Sequence, residues 1–172
     1  MGVPFVQSGY NRIAGDFYPT IDDRCINGLL HHVKPAGLIV DPCAPDGSGI
    51  VDQLTAAGFD AVGLPDAMGE FIGEWIITNP PYDRRIVDKI IRRQLDRLEA
   101  GEFRGMAVLL RSGFDHAKSR KWLFDSPLYA GQIKLRFRPF WSQDRKASPI
   151  HNYVWHLWQI DMAGAPVVLY AG

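Results

Sequence analysis

Apolar residues recur along this 172-residue chain in two alternating patterns. Short continuous apolar runs are typical of buried strands, and apolar positions spaced three or four apart are typical of amphipathic helices. The runs predict strands at 37–41, 60–64, 74–78, 105–111, 152–161 and 166–171, and an alternation of apolar and basic residues predicts a half-exposed strand at 131–141. The helical spacing predicts helices at 50–58, 84–101 and 115–125, and a first helix that begins after Thr20 or Asp22 and ends near Val33.

Strands and helices that alternate in this order favour one particular class of fold. A strand that is followed by a helix and then by another strand normally lies parallel to that second strand in the same sheet. We therefore expect an α/β fold with a single, doubly wound, Rossmann-like sheet that is mostly parallel and carries helices on both faces.

The length and composition predict a single folded unit. The chain shows no repeat and no linker, so residues 1–172 form one predicted domain without a separate target-recognition domain. No apolar run approaches the ~20 residues that span a bilayer. The amino-terminal residues do not resemble a signal peptide, and Cys25 and Cys43 are too few for a disulfide framework. We expect a soluble, cytoplasmic protein that binds no metal and no membrane.

The net charge of zero hides an asymmetry between the two halves of the chain. Residues 1–83 contain 3 Lys and Arg against 11 Asp and Glu, whereas residues 84–172 contain 16 against 8. A basic half of this kind indicates a polyanionic partner. The alternative is that these basic side chains are ordinary solvated surface charges.

Two loops that follow predicted strands contain the candidate chemistry. In an open α/β sheet, ligands bind beyond the carboxyl ends of the strands. The loop "DPCAPDGSG" follows the first strand, and the loop "NPPYD" follows the strand "EWIIT". We expect both loops to lie at the same edge of the sheet and to form one site.

The first loop resembles the cofactor loop of S-adenosylmethionine-dependent methyltransferases, an acidic residue followed by a Gly-x-Gly turn. Aligned on Asp41, the second glycine is Gly47, and the first is replaced by Pro45. The resemblance implies the class I methyltransferase type of fold, with S-adenosylmethionine as the cofactor. It implies cofactor contacts from Asp41, Pro42, Cys43, Ala44, Gly47 and Asn79, and ribose contact from Asp66, which lies about one residue later than in the family. The alternative is an ordinary turn between a strand and a helix.

The second loop, Asn79-Pro80-Pro81-Tyr82, suits methyl transfer to a planar nitrogen. The lone pair of an exocyclic amine is delocalised into its ring, and two acceptors on its N–H bonds would favour the pyramidal, nucleophilic form. The Asn79 side-chain oxygen and the Pro80 backbone oxygen can be those acceptors. Two consecutive prolines stiffen the loop, and the Tyr82 ring offers a face for base stacking.

This string matches the catalytic motif of amino methyltransferases, above all those that act on the N6 of adenine in DNA, including phage and prophage enzymes. "DFYPT" before the first helix resembles the segment that walls the methionine side of the cofactor in those enzymes, which implies this role for Phe17, Tyr18, Pro19 and Thr20. The resemblance covers roughly residues 15–160. A target adenine would have to be flipped out of a duplex to reach such a site.

Basic residues near the expected site are candidates for phosphate contacts. They are Arg84, Arg85, Lys118, Arg120, Lys121, Arg138, Arg145 and Lys146. Trp141 is a candidate wedge, or else a packed core residue. Because the chain has no room for a recognition domain, three expectations stay open: loose sequence choice, recognition supplied by a homodimer or a separate subunit, or a substrate other than duplex DNA.

The leading hypothesis is therefore an S-adenosylmethionine-dependent adenine-N6 DNA methyltransferase. A methyltransferase for an RNA base or a protein glutamine amide would use the same chemistry. A catalytically silent module that binds nucleic acid or a partner is the alternative from another class, and Pro45 and the displaced Asp66 favour it.

Overall fold

Seven strands form one sheet in the computed structural model, which describes residues 19–44, 49–142, 150–161 and 164–172. The strands are β1 (Ile39–Asp41), β2 (Ala61–Gly63), β3 (Trp75–Thr78), β4 (Gly105–Arg111), β5 (Tyr129–Leu135), β6 (Tyr153–Gln159) and β7 (Val167–Ala171). The helices are α1 (Asp23–His32), α2 (Gly49–Ala56), α3 (Arg84–Glu99) and α4 (Lys121–Phe124).

The sheet is mostly parallel, as the sequence predicts. The strand order is β2-β1-β3-β4-β6-β5-β7, and β6 alone runs antiparallel to its neighbours β4 and β5. The chain moves outward from β1 to β2 and then returns to the other side of β1 to form β3. In open α/β sheets, such a reversal of strand order marks a ligand-binding crevice beyond the carboxyl ends of the two strands, here β1 and β3.

Each face of the sheet carries its own apolar core. Helices α1 and α2 bury Cys25, Ile26, Leu29 and Leu54 against one face. Helix α3 and the short α4 cover part of the other face, where their apolar residues meet β3, β4 and Trp158 of β6. The predicted doubly wound arrangement, with helices on both faces, is therefore confirmed.

Two aspartates cap the helices that flank the crevice. Asp22 is the N-cap of α1, and its buried carboxylate accepts hydrogen bonds from the Arg24 backbone and guanidinium. Asp83 caps α3 in the same way through Arg85. An N-cap carboxylate accepts from backbone N–H groups that lack a partner within the helix. Both helices therefore begin at the edge of the sheet where the candidate loops lie.

The predicted helix at 115–125 is wrong. This segment forms two 3₁₀ turns, at Phe114–His116 and Lys118–Arg120, before the single turn of α4. Its first half offers no apolar stripe that could be buried, and the Arg120 guanidinium instead holds the turns by donating to the Phe114 carbonyl and to Asp88. Leu123 is the first residue of this segment that is fully buried against the sheet.

The predicted strand at 131–141 is displaced toward the amino terminus. It runs from Tyr129 to Leu135, where its neighbour β7 reaches its last paired residue, Ala171. Beyond this point the chain turns toward α1, and the Phe140 backbone N–H donates to Asp22. Among the described residues, no helix is long and apolar enough to cross a membrane.

Candidate functional site

A side-chain hydrogen bond joins the end of β1 to the end of β3, at the points where the two candidate loops begin. Asp41 ends β1, and its carboxylate accepts from the Thr78 hydroxyl at 2.7 Å and from the Cys43 backbone N–H at 3.1 Å. Both Asp41 and Thr78 are buried. A buried carboxylate is stable only when its oxygens are hydrogen-bonded, so this contact fixes the relative position of the loops at the crevice.

The first loop is anchored to the end of β2 by backbone hydrogen bonds. The Ala44 N–H donates to the Leu64 carbonyl, and the Leu64 N–H donates to the Asp41 carbonyl. Burial raises the pKa of the Cys43 thiol to about 12, so this side chain remains a neutral thiol and is not a nucleophile at neutral pH. Pro42 and Ala44 are also buried, whereas the predicted cofactor contact Gly47, like Pro45, lies outside the described residues.

The segment before α1 lies directly against the start of α2. A Cβ atom at Gly49 would lie only 2.1 Å from the Thr20 carbonyl oxygen, so this contact requires glycine. The Gln53 side-chain amide donates to the same oxygen at 2.7 Å. The structure thus places Thr20 and its half-buried neighbour Pro19 at the crevice, whereas Phe17 and Tyr18 of the same predicted wall lie outside the described residues.

Asn79 is held between Thr20 and Tyr82. Its side-chain nitrogen donates to the Thr20 hydroxyl at 3.1 Å, and its side-chain oxygen accepts from the Tyr82 hydroxyl. In this orientation of the amide, the nitrogen faces Thr20 and the oxygen is the end directed toward Tyr82. The predicted acceptor on Asn79 is therefore engaged by a neighbouring side chain in this conformation.

The Tyr82 ring connects Asn79 with a cavity. The ring centroid lies 5.7 Å from that of Tyr153, and the Arg111 guanidinium carbon lies 5.3 Å from the Tyr82 centroid. Burial is the main cause that raises the pKa of Tyr82 well above its usual value, so its hydroxyl stays protonated and donates to Asn79. The prolines that precede it, Pro80 and Pro81, are buried and half-buried respectively.

We refer to the cavity bordered by Tyr82 as the target cavity. Its volume is about 440 Å³, and it lies beyond the ends of β3 and β4 and the start of β6. The lining residues are Tyr82, Arg84, Val87, Arg111, Ser112, Gly113, Phe114, Arg120, Ile150, His151 and Asn152. Asn79 is not among them. Tyr82 lines the cavity and also donates to the Asn79 oxygen, so it links the two.

Asp66 follows β2 at the same edge of the sheet, but its observed role is local. Its side chain is exposed, and one oxygen accepts from the Met68 backbone N–H at 2.9 Å, which closes a short turn. This turn is a sufficient structural reason for an aspartate at position 66, and no ligand is needed to explain it. Ribose contact by Asp66 stays a prediction.

The predicted phosphate-binding residues fall into separate groups. Arg84 and Arg120 line the target cavity, and the Arg138 guanidinium donates to Asn152 in its wall. Arg85 and Lys121 form ion pairs with Asp83 and Asp125 on the surface. Lys118 is exposed in the second 3₁₀ turn, and Arg145 and Lys146 lie outside the described residues.

Of the residues in the cavity wall, the sequence predicts only Tyr82, Arg84 and Arg120 as site residues, and two basic side chains are among those it missed. Arg111 and His151 both line the cavity, at the end of β4 and just before β6. The sequence could have indicated Arg111, because it is the last residue of the strand "GMAVLLR". Thr78 is likewise the last residue of the strand before Asn79, and ligands bind beyond such strand ends. Trp141, the candidate wedge, packs edge-on against Tyr153 with ring centroids 5.0 Å apart.

His156 belongs to the core. It is fully buried on β6, its Nδ1 lies 2.9 Å from the Tyr129 hydroxyl, and burial lowers its pKa to about 3. Within the described part of the chain, no three His, Cys, Asp or Glu side chains are grouped so that they could hold a metal ion.

No protein-family model matches the sequence, and no curated protein matches it. Solved structures do. One is a protein from Listeria monocytogenes assigned to the class I S-adenosylmethionine-dependent methyltransferases, with a TM-score of 0.52 and 15% identity. This match covers 89% of the chain and 65% of the Listeria protein, so the chain spans a little less than two thirds of its length.

Two further structures are similar at lower scores. An RNA methyltransferase from Pyrococcus horikoshii matches with a TM-score of 0.48 at 9% identity, over 80% of this chain and 81% of that one. The 23S rRNA methyltransferase ErmE matches with a TM-score of 0.48 at 11% identity, over 82% and 70%. At these identities the comparisons show the fold alone, and that fold is the Rossmann-like type of the class I methyltransferases.

Proposed function

We propose that this protein transfers a methyl group from S-adenosylmethionine to the exocyclic N6 of adenine in DNA. The observation that carries the proposal is the chain of contacts Thr20–Asn79–Tyr82, which ends at the target cavity. It lies at the reversal of strand order, where a fold of this class binds its ligands. An amide oxygen held in place beside an aromatic ring and a cavity suits the recognition of a planar amine.

The cofactor would lie in the crevice between the first loop and Asn79. The residues at this edge fit it, because Thr20, Asp41 and Ala44 are buried in a hydrogen-bonded frame whose small side chains leave the backbone close to a ligand. Bound there, S-adenosylmethionine would supply an electrophilic methyl group on a sulfonium. Thr20 and Asp41 would then hold it beside Asn79, which contacts the target cavity through Tyr82.

The protein's contribution to the reaction is to position and polarise the amine. The Asn79 side-chain oxygen and the Pro80 backbone oxygen accept hydrogen bonds from the two N–H groups of the amine. The lone pair of the nitrogen is then free to attack. With the cofactor bound, the nitrogen would take the methyl group as the bond from that group to sulfur breaks, and solvent would accept the proton that the nitrogen loses. Most of the rate would come from alignment, since no side chain in this scheme needs a shifted pKa to act as a base.

Tyr82 has two roles in this scheme, and they occur in sequence. Before substrate binds, its hydroxyl occupies the Asn79 oxygen. When an adenine enters the target cavity, the base amine takes over that acceptor and the ring of Tyr82 provides a stacking surface. The exchange of one hydrogen bond for another keeps the cost of opening small, because the Asn79 oxygen is never left buried without a donor.

An RNA base is the second candidate substrate. Arg84, Arg111 and Arg120 line the target cavity, and these cations suit the phosphates of either nucleic acid. The same cations disfavour a protein glutamine amide, which brings no polyanion with it.

A panel of substrates tests the proposal. The full chain is incubated with methyl-labelled S-adenosylmethionine and, separately, with duplex DNA, single-stranded DNA, RNA and a glutamine-containing peptide. We expect label in DNA for the wild type, at least a 100-fold loss for Asn79→Ala, and cofactor affinity by calorimetry within a few-fold of wild type in that variant. The matched control is Asn27→Ala, an exposed asparagine on α1, which should retain full activity.

Each other outcome of the panel has a definite reading. If the label appears in RNA alone, an RNA base is the substrate and DNA is not. An Asn79→Ala variant with wild-type turnover would remove the acceptor role of Asn79. If the protein binds no S-adenosylmethionine at millimolar concentration, the hypothesis that remains is the catalytically silent module that binds nucleic acid or a partner.

A further inference from the structure

Within the described residues, part of one sheet face beside the target cavity carries exposed side chains instead of a covering helix. In β5, Ile133 and Leu135 point into the core under α1, so the alternate residues Gln132 and Lys134 point to the opposite face. There a cavity of about 680 Å³ lies over β5, β6 and β7. We call it the β5–β7 groove, and its walls include Gln132, Lys134, Arg136, Arg138, Asn152 and Tyr170.

The β5–β7 groove carries unpaired positive charge. Lys134, Arg136 and Arg138 are exposed, and none of them forms an ion pair with any residue in the described ranges. Among the described residues of the wall, Asp115 is the acidic one, and the His116 ring nitrogen lies 3.7 Å from its carboxylate. Three adjacent cations that lack acidic partners repel one another, and a bound polyanion would relieve that repulsion.

An aromatic ring lies among these cations. Tyr170 on the edge strand β7 is 49% exposed, and the Arg136 guanidinium carbon lies 4.6 Å from its ring centroid. Cations that alternate with an exposed aromatic ring form the kind of surface on which single-stranded nucleic acids bind, since the phosphates meet the charges and a base stacks on the ring. The bases of a duplex are stacked inside the helix and cannot use the ring in this way.

The β5–β7 groove and the target cavity share a wall. Ser112 and Asn152 line both of them. Arg138 donates to the Asn152 side-chain oxygen at 3.1 Å, which places a guanidinium at the junction. A strand whose target base occupies the target cavity could therefore continue into the groove without leaving the surface.

We propose that the β5–β7 groove binds the single-stranded nucleic-acid segment that flanks the target nucleotide. Lys134, Arg136 and Arg138 contact its phosphates, and Tyr170 stacks on one of its bases. The inference rests on the proposed function for the identity of the target cavity. It adds a second site, which would select single-stranded or locally opened substrates and would set which flanking nucleotides are tolerated.

Binding measurements on matched charge variants test the inference. The full chain is titrated into a fluorescent single-stranded DNA with one adenine, and anisotropy is followed at several salt concentrations. Lys134→Gln with Arg136→Gln should weaken binding about 10-fold and reduce the slope of log K against log salt by about 1.4, at ~0.7 per lost contact. The control, Lys34→Gln with Lys89→Gln, removes the same charge elsewhere and should stay within twofold of wild type.

A second variant separates stacking from charge. Tyr170→Leu keeps an apolar side chain on the edge strand, and it should weaken single-stranded binding at least fivefold, from the loss of ~1–3 kcal/mol of stacking. Its affinity for the matched duplex should change less than twofold. Parallel titrations with RNA of the same sequence show which nucleic acid the groove prefers.

The possible outcomes distinguish this inference from the proposed function. If the groove variants bind as tightly as wild type with an unchanged salt slope, or if the control pair weakens binding equally, the β5–β7 groove is not the binding site, even when methyl transfer is observed. If binding depends on the groove but no methyl group is transferred, the groove stands and the proposed function fails.

Discussion

Polar side chains are buried and hydrogen-bonded in one region of the sheet, around β1 and β3, and are exposed in another, around β5 and β7. Around β1 and β3, the side chains of Thr20, Asp41, Thr78 and Asn79 are at most 3% exposed and hydrogen-bond to one another in pairs. Around β5 and β7, the charged side chains are exposed and lack ion-pair partners within the described residues. The same sheet thus offers a rigid polar site at its switch point and an open basic surface beside it.

The difference assigns a separate task to each region. Buried polar groups keep a fixed geometry because any movement would leave a donor or acceptor unpaired, which suits the alignment of reacting atoms. Exposed cations adapt to a flexible polyanion and respond to salt, which suits binding without strict sequence choice. Tyr82 lies at the boundary, since its hydroxyl belongs to the buried network and its ring lines the target cavity.

Apart from the loss of Asn79 itself, the largest effect should come from changes to Tyr82, which belongs to both regions. Tyr82→Ala removes the stacking ring, and we expect kcat/KM for methyl transfer to fall about 5- to 150-fold, from ~1–3 kcal/mol of lost stacking. Tyr82→Phe keeps the ring and releases the Asn79 oxygen, so its activity should stay within about threefold of wild type. Equal losses in both variants would mean that the hydroxyl, rather than the ring, is required.

A smaller effect should follow from loosening the buried network at Thr20. Thr20→Val removes the hydroxyl that accepts from the Asn79 amide. We expect kcat to fall about fivefold, with little change in KM for the nucleic acid, because one hydrogen bond contributes ~1 kcal/mol. Thr20→Ser should restore kcat. A loss of stability without any loss of kcat would show that the contact is only structural.

The smallest effect concerns His156, a buried polar residue behind the open end of the sheet. The pKa of its imidazole is lowered by burial to about 3, well below the value of ~6.5 for an unfolded chain. The unfolded state therefore binds more protons between these values, and His156 makes stability fall as pH drops through this window. From pH 6 to pH 5 we expect a loss of about 1 kcal/mol from this group.

Urea denaturation at several pH values measures this contribution. His156→Gln can still accept from the Tyr129 hydroxyl but does not titrate, so its stability should fall less steeply with acid than that of the wild type. Parallel curves for the two proteins would show that the imidazole is not held neutral by its burial. Methyl transfer at neutral pH, corrected for the folded fraction, should be the same in both.

Periodicity in the sequence was sufficient to predict most of the fold. The segments that became β4 and α3 carry long, unambiguous apolar patterns, because each is buried along a complete face. The segment at 115–125 was mispredicted as a helix, since its cations resemble a solvated helix face although it has nothing to bury in its first half. A pattern without an apolar stripe does not distinguish a helix from a series of turns.

The candidate site was predicted in part, and the missing part consists of long-range contacts. Asn79 and Tyr82 stand out in the sequence because two prolines separate them. The hydrogen bond from Asn79 to Thr20 joins residues 59 positions apart and depends on where α1 begins. Gly49 is required by the Thr20 backbone, and a sequence shows only that a glycine is present. Neither contact has a local signature.

The position of the transferred methyl group tests the central claim most directly. The wild-type protein is incubated with methyl-labelled S-adenosylmethionine and DNA, the DNA is digested to nucleosides, and the labelled nucleoside is identified by mass spectrometry. If Asn79 and Pro80 hold an exocyclic amine, the label should appear in N6-methyladenine. Label on a ring carbon or ring nitrogen, or no labelled nucleoside from a protein that binds the cofactor, would contradict this claim.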